Sequence, residues 1–365
     1  MNRIDQVVIR VQAARNCERK VEVVSATDNV RNADVSEIAE WFTGGDSQAY
    51  IQFDRENIFF HPLPYGDFAL GVINPAGVGT DDNVNFCFGQ QESELFFVRI
   101  LIISPSVLLS QANNPVAIYE KLCRSNEITN ITKPPDNLKP LESPAAQPFC
   151  DTEILRRVVS AAGVVAVSRL FQSLLDSVST IFRPYNSTSP LFILSGIFNL
   201  LPIRFRSGLT FSTSLFLSPV IPFQAIGFCG NGGQAVMLAE NSGVSLIDFE
   251  RFSRYENPPQ NVCLGQWSRL ISRILAGGDF AFWEYQIETD AELDLDNEAE
   301  EFIDWRELND LAIMWQRNNP KMTIKGNIKS NAGSDKTGKA AERGLEQSIA
   351  AVEMLMDDAK RKPAG

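Results

Sequence analysis

The sequence predicts an α+β protein: a β-rich N-terminal domain packed on a mixed helix/strand second domain, with a tethered helix at the C-terminal end. Three observations predict it. Over the first 104 residues, short runs alternate apolar with polar side chains or gather β-branched and aromatic residues between turn signals, the period-two pattern of strands. From Leu155 onward apolar residues return every three or four positions, the period of helices. Beyond Pro320 the chain becomes polar, basic and glycine-containing before one last apolar stripe, a composition that suits a tether carrying a helix.

The 365 residues favour two or three domains. Candidate strands in the first domain, residues 1–128, are 6–12, 20–26, 49–54, 57–61, 68–73, 84–89 and 94–103. A helix over 35–41 is announced by Asp34 with Glu37 three residues on, a variant of the capping box. Helices over 106–111 and 116–123 follow, the second opened by Asn114-Pro115 as cap and first-turn proline. Five prolines mark 129–148 as an irregular linker. The second domain, 149–318, starts with a stripe through Leu155, Val159, Ala162, Ala166, Leu170, Leu174, Val178 and Ile181, which predicts one helix of about eight turns ending at Arg183-Pro184. Ser189-Pro190 opens another helix, to residue 199. The alternation of large and hydroxyl side chains over 209–216 predicts a strand with one wet face. Strands are expected at 223–228, 235–239 and 244–249, with the glycines at 230–233 as a turn, and a helix at 267–275.

Charge is segregated. The chain carries −12, and residues 284–310 hold twelve carboxylates against one arginine, a local −11. Up to Asn297 this stretch has little to bury and is expected to be exposed. Asp290, Glu292, Asp294 and Asp296 alternate with Ala291, Leu293 and Leu295; they form a solvated edge or a docking site for a basic partner, and lack the glycine and closing glutamate of a calcium loop. Phe302, Trp305, Leu308, Ala312 and Trp315 then return to helical spacing. In the tail, 319–365, a helix over 340–361 places Leu345, Ile349, Val352 and Met356 on one stripe. Too short to stand alone, it needs its own body or a partner's groove to lie against.

Several classes of function are excluded. An acidic chain is repelled by phosphate backbones, so no nucleic acid partner is expected. His61 is the single histidine, which rules out mechanisms and metal sites needing two imidazoles. The apolar runs 158–167 and 191–201 fall short of the roughly 20 residues a membrane span needs, so no membrane association is expected. The first residues carry no signal-peptide stretch, which points to the cytoplasm. The six cysteines are scattered and form no Cys-x-x-Cys, as small buried hydrophobes do, and neither a cofactor nor a metal is implied. The loop from Gly333 to Ala340 imitates a phosphate loop but has Ala340 where a hydroxyl should follow the lysine, and no core strand precedes it. His61 with Cys87 or Ser104 would make a nucleophile dyad, the basis of a rival reading as a hydrolase; no nucleophile elbow accompanies them. The reading is therefore a protein-binding component whose contact residues are Leu345, Ile349, Val352, Met356 and the four alternating acids.

Segments spread over the first two thirds resemble one family. They are 21–26 before the capped helix 37–41, Phe59-Phe60-His61-Pro62-Leu63-Pro64-Tyr65-Gly66, Ile102-Ile103-Ser104-Pro105 leading to Ala112-Asn113-Asn114-Pro115, and 201–213 with Leu201-Pro202-Ile203-Arg204-Phe205-Arg206. Together they resemble the bacterial GTPase-associated proteins, over about residues 6 to 230. The resemblance implies a β-rich N-terminal domain followed by a middle domain, and an intracellular adaptor or regulator without established enzymatic activity that works beside a GTPase in a signalling or defence-like system. It transfers no site residue.

Overall fold

A computed structural model describes residues 3–13, 19–43, 50–51, 56–74, 95–128, 137–176, 179–185, 188–217, 221–254, 264–294 and 305–318. In chain order the first half holds β1 (Arg3–Ala13), β2 (Arg19–Ala26), α1 (Asn32–Thr43), β3 (Tyr50–Ile51), β4 (Asn57–Pro62), β5 (Phe68–Asn74), β6 (Leu95–Ile103), α2 (Pro105–Ser110), α3 (Pro115–Arg124) and β7 (Leu141–Glu142). The second half holds α4 (Thr152–Ala162), α5 (Val164–Asp176), β8 (Thr180–Arg183), α6 (Pro190–Asn199), α7 (Ile203–Arg206), β9 (Phe211–Ser212), β10 (Phe216–Leu217) and β11 (Ala225–Gly227). It closes with α8 (Gly232–Ser242), β12 (Ser245–Asp248), α9 (Phe249–Arg254), α10 (Gln266–Gly277), α11 (Phe280–Asp294) and α12 (Glu307–Asn318).

The architecture is α+β, built on a mixed sheet of ten strands in the order β12-β8-β11-β9-β4-β5-β6-β1-β2, with β7 added against β1. From β4 to β2 neighbouring strands are antiparallel, and from β12 to β9 they are parallel. The two regimes meet where β9 pairs antiparallel with β4, Phe60 facing Phe211. Both halves of the chain thus share one sheet.

Strand alternation sends side chains to two cores. Ile58, Phe60, Leu70, Val72, Leu101, Phe182 and Phe211 face a layer that includes α4, α5, α6, α10, α11 and α12. Val7, Ile9, Phe59, Ile73, Val98, Ile100, Ile181 and Ile226 face the other side, covered by Ile38, Trp41 and Phe42 of α1 and Ala235, Leu238 and Ala239 of α8. Successive residues pointing oppositely explain how Phe59 and Phe60, or Ile181 and Phe182, serve different cores. Trp267, Trp283 and Trp315 meet pairwise in the helical layer, ring centroids 5.5 to 5.6 Å apart.

Five expectations need correction. The eight-turn helix breaks at Gly163, whose φ of +76° caps α4, and α4 and α5 diverge by 104°. Its last residues, Thr180–Arg183, instead form β8, a strand buried along its whole length. Residues 235–239 lie in α8 rather than in a strand: Asn231 Oδ1 accepts from Gln234 N at 2.9 Å and Gly243 closes the helix in the left-handed conformation, so the glycines read as a turn are a helix start. Residues 209–216 have no wet face. Their hydroxyls are buried and bonded inward, with Ser212 Oγ donating to Asn57 Oδ1 and Thr213 Oγ1 accepting from Ile58 N, each at 2.8 Å. Residues 141–142 of the expected irregular linker pair with Arg3 and Ile4, and the carbonyls of Pro144 and Ala145 accept from Gln111 Nε2.

Candidate functional site

His61 is the penultimate residue of β4, in register with Ala69 of β5. Its ring stands edge-on to Trp41 and Phe223, centroids 5.4 and 5.9 Å away. Nδ1 lies 2.8 Å from the Pro62 carbonyl oxygen, which can only accept, so Nδ1 carries the proton. Burial holds the imidazole below its ordinary 6.5 despite the opposing pull of that carbonyl and of Glu37, and the ring is neutral at pH 7. Of its two suggested partners, Cys87 lies outside the described residues. The Ser104 hydroxyl is committed to the cap of α2, accepting from Val107 N and sharing a hydrogen bond with Ser106 Oγ at 3.1 Å.

Two of the described thiols are poor nucleophiles. Cys150 is buried, which pushes it up to about 12 against the pull of Arg206, and burial also raises Cys123, beside Tyr119. Cys123, Cys150 and Cys229 are all unbridged. Among the described residues no three metal-ligating side chains converge. No single helix there is long and apolar enough to cross a membrane.

The described start of the acidic stretch is helical and partly in the core, where the sequence leads one to expect exposure. Residues 280–294 form α11, and Trp283, Ile287 and Ala291 are in the core. Asp290 is buried with them at 9% exposure, because it lies one turn beyond Ile287 on the inward side. A partner therefore has little access to it. Glu292 and Asp294 sit on the last turn of α11; Asp296 and all four tail residues, Leu345, Ile349, Val352 and Met356, lie outside the described residues.

A constellation absent from the sequence reading forms at the carboxyl ends of the parallel strands. The chain leaves β8 toward α6 on one face of the sheet and leaves the adjacent β11 toward α8 on the other, a topological switch point of the kind where open α/β sheets form crevices. Arg183, the last residue of β8, spans it. Its Nε donates to the Gly230 carbonyl at 2.6 Å, and its Nη1 reaches Asp248 Oδ1 at 3.0 Å and Glu250 Oε2 at 2.8 Å. Asp248 also takes Arg251 Nε at 3.6 Å on its other oxygen. With Arg183 and Asp248 each about 5% exposed, this network ties β8, β12 and the glycine loop together. Arg183 and Asp248 are 65 positions apart, so the one local signal is the strand–glycine–helix order around 227–233, which reading 235–239 as a strand conceals.

A second buried cation joins two of the segments that carry the family resemblance. Arg206 is 1% exposed and donates to three backbone carbonyls: Leu201 at 2.9 Å, Ala112 at 3.0 Å and Phe149 at 2.7 Å. Asn113 Nδ2 adds a bond to the Ile203 carbonyl at 3.0 Å. Ala112 and Asn113 both hold positive φ, near +50°, which turns their backbone toward this hub. Comparison with protein-family models and with curated proteins finds no match. The resemblance accordingly rests on the segments themselves.

Proposed function

We propose that the protein is a non-enzymatic adaptor or regulatory component that acts by holding a protein partner, a GTPase of a bacterial signalling or conflict system being the partner the resemblance implies. The observation that carries this reading is that four reactive side chains of the described fold, His61, Cys123, Cys150 and Arg183, are engaged in holding it together. His61 is neutral among aromatic rings with one nitrogen on a carbonyl, Cys123 and Cys150 are pushed away from the thiolate, and the Arg183 fork is held by two carboxylates and a carbonyl. Groups fixed in this way give rigidity and leave little to offer a substrate. The concentration of −11 in residues 284–310 and the apolar stripe at Leu345, Ile349, Val352 and Met356 supply the features of a binding surface and a helical anchor.

The test uses the full chain and a chain ending at residue 319 as baits, with partners identified by mass spectrometry and re-bound as purified proteins. A GTPase that binds the full chain and loses at least about tenfold in affinity for the shortened one supports the reading. Identical partners and affinities for the two baits would remove the tail from it. Ester or amide hydrolysis that disappears in His61→Ala would overturn it altogether.

A further inference from the structure

We infer that the outer edge of β2 is a homodimer interface, in which two copies of this chain pair their β2 strands antiparallel about a two-fold axis at Val21. β2 ends the sheet, so among the described residues one row of its backbone N–H and C=O groups meets no other strand. Such a row is a template for another strand unless the edge is blocked.

Three features of β2 select one partner and one register. The first is the extent of regular pairing. Residues 19–23 run in unbroken register with 13–9 of β1, and the register then shifts between Val8 and Ile9, opposite Ser25 and Val23, so that Val24 is bulged out. The straight edge is thus 19–23, and its midpoint is Val21. Neither proline nor glycine interrupts it.

The second feature is charge. With the axis at Val21, Lys20 of each copy lies directly opposite Glu22 of the other, on the same face of the sheet. Glu22 already pairs with Arg10 of its own β1, so a row of alternating sign, Arg10–Glu22–Lys20, runs across the junction twice. Centring the pair one residue earlier would set Lys20 against Lys20, and one residue later Glu22 against Glu22. Charges that oppose indiscriminate edge pairing therefore favour this single arrangement.

The third feature is the apolar face. Val21 and Val23 stand opposite Val11 and Ile9, which belong to the core under α1. Val21 is partly buried against that core, yet Val23 is 40% exposed. A second copy brings Val21 onto Val21 at the axis and covers the flank of Val23, extending the apolar layer across two sheets.

Five residue pairs make a small interface, so the expected dissociation constant is on the order of 10 µM. Sedimentation or light scattering of the full chain from about 1 to about 200 µM measures it. Lys20→Glu sets two carboxylates against each other at both ends of the junction, and Glu22→Lys sets two ammonium groups there; each is expected to weaken the dimer by tenfold or more. Mixed in equal amounts, the two variants regain both opposite-charge contacts and are expected to form a heterodimer. Circular dichroism and melting of each variant alone verify that it is folded, since both positions are on the surface. A chain that stays monomeric throughout this range overturns the proposal. So does a dimer that tolerates both single substitutions, or a pair of monomeric variants whose mixture fails to associate.

Discussion

Replacing Arg206 by methionine should be among the most damaging single changes in the protein. The methionine fills much of the same volume but leaves the Leu201, Ala112 and Phe149 carbonyls without their donor. Each buried acceptor so orphaned costs about 1–3 kcal/mol. Part of that loss is offset, because the native fold already carries the burden of a buried cation. Burial lowers the guanidinium from its ordinary value to about 10, a difference of roughly 3 kcal/mol at ~1.4 kcal/mol per pH unit. The balance is a net loss of about 3 kcal/mol, or about 4 °C in melting temperature for a chain of this size. Urea unfolding followed by tryptophan emission measures it directly, since Trp267, Trp283 and Trp315 lie in the same core as Phe205. Arg206→Lys should lose nearly as much, because one ammonium on a flexible stem does not span three carbonyls set around a planar fork. A methionine variant within about 1 kcal/mol of the parent, or more stable than it, would refute the reasoning and show that the three carbonyls find other partners.

Acidification should weaken the fold partly through His61. Its native pKa lies below 6.5, so the unfolded chain binds the proton more readily; stability is full above pH 6.5 and falls as pH drops through the window below it, and His61→Gln should flatten that part of the pH–stability curve. Gly71→Ala would set a Cβ 2.0 to 2.6 Å from the Phe59 ring, which is wedged against Trp41, Phe42, Phe216 and Phe223; a loss of about 3 kcal/mol is expected in thermal unfolding, with partial recovery when Phe59→Leu is added. Arg183→Met takes from buried Asp248 its nearest cation, leaving Arg251 Nε at 3.6 Å, and should cost about 3 kcal/mol by denaturant titration, much of it regained in the Arg183→Met/Asp248→Asn double variant.

The elements that are legible in the sequence are those bounded by turn or capping signals. β1, β5 and β6 each sit where β-branched and aromatic runs between turn signals place them, and α2 and α3 begin at Ser104 and Asn114, whose side chains cap them. Where both faces are buried the alternation vanishes, and β8 merges with the preceding helical stripe because Thr180, Ile181 and Phe182 continue its apolar run. The break at Gly163 escapes detection for a related reason: a turn at one residue keeps the three-to-four spacing in phase on either side. Of the candidate site, His61 is legible as a strand-end histidine. The network around Arg183 is not, since a parallel sheet brings β8 and β12 together only by a crossover through α8.

Composition, period and local capping signals alone determined the fold class, most strands of the antiparallel half and the segregation of acid into one stretch, because these are properties of neighbours along the chain. Tertiary structure decided which acids are buried, which carbonyls Arg206 holds, how Arg183 finds Asp248, and which strand is left at the edge. Those outcomes depend on contacts between distant segments, whose free energy is set by the shape and burial of the assembled layers and leaves no periodic trace in the sequence.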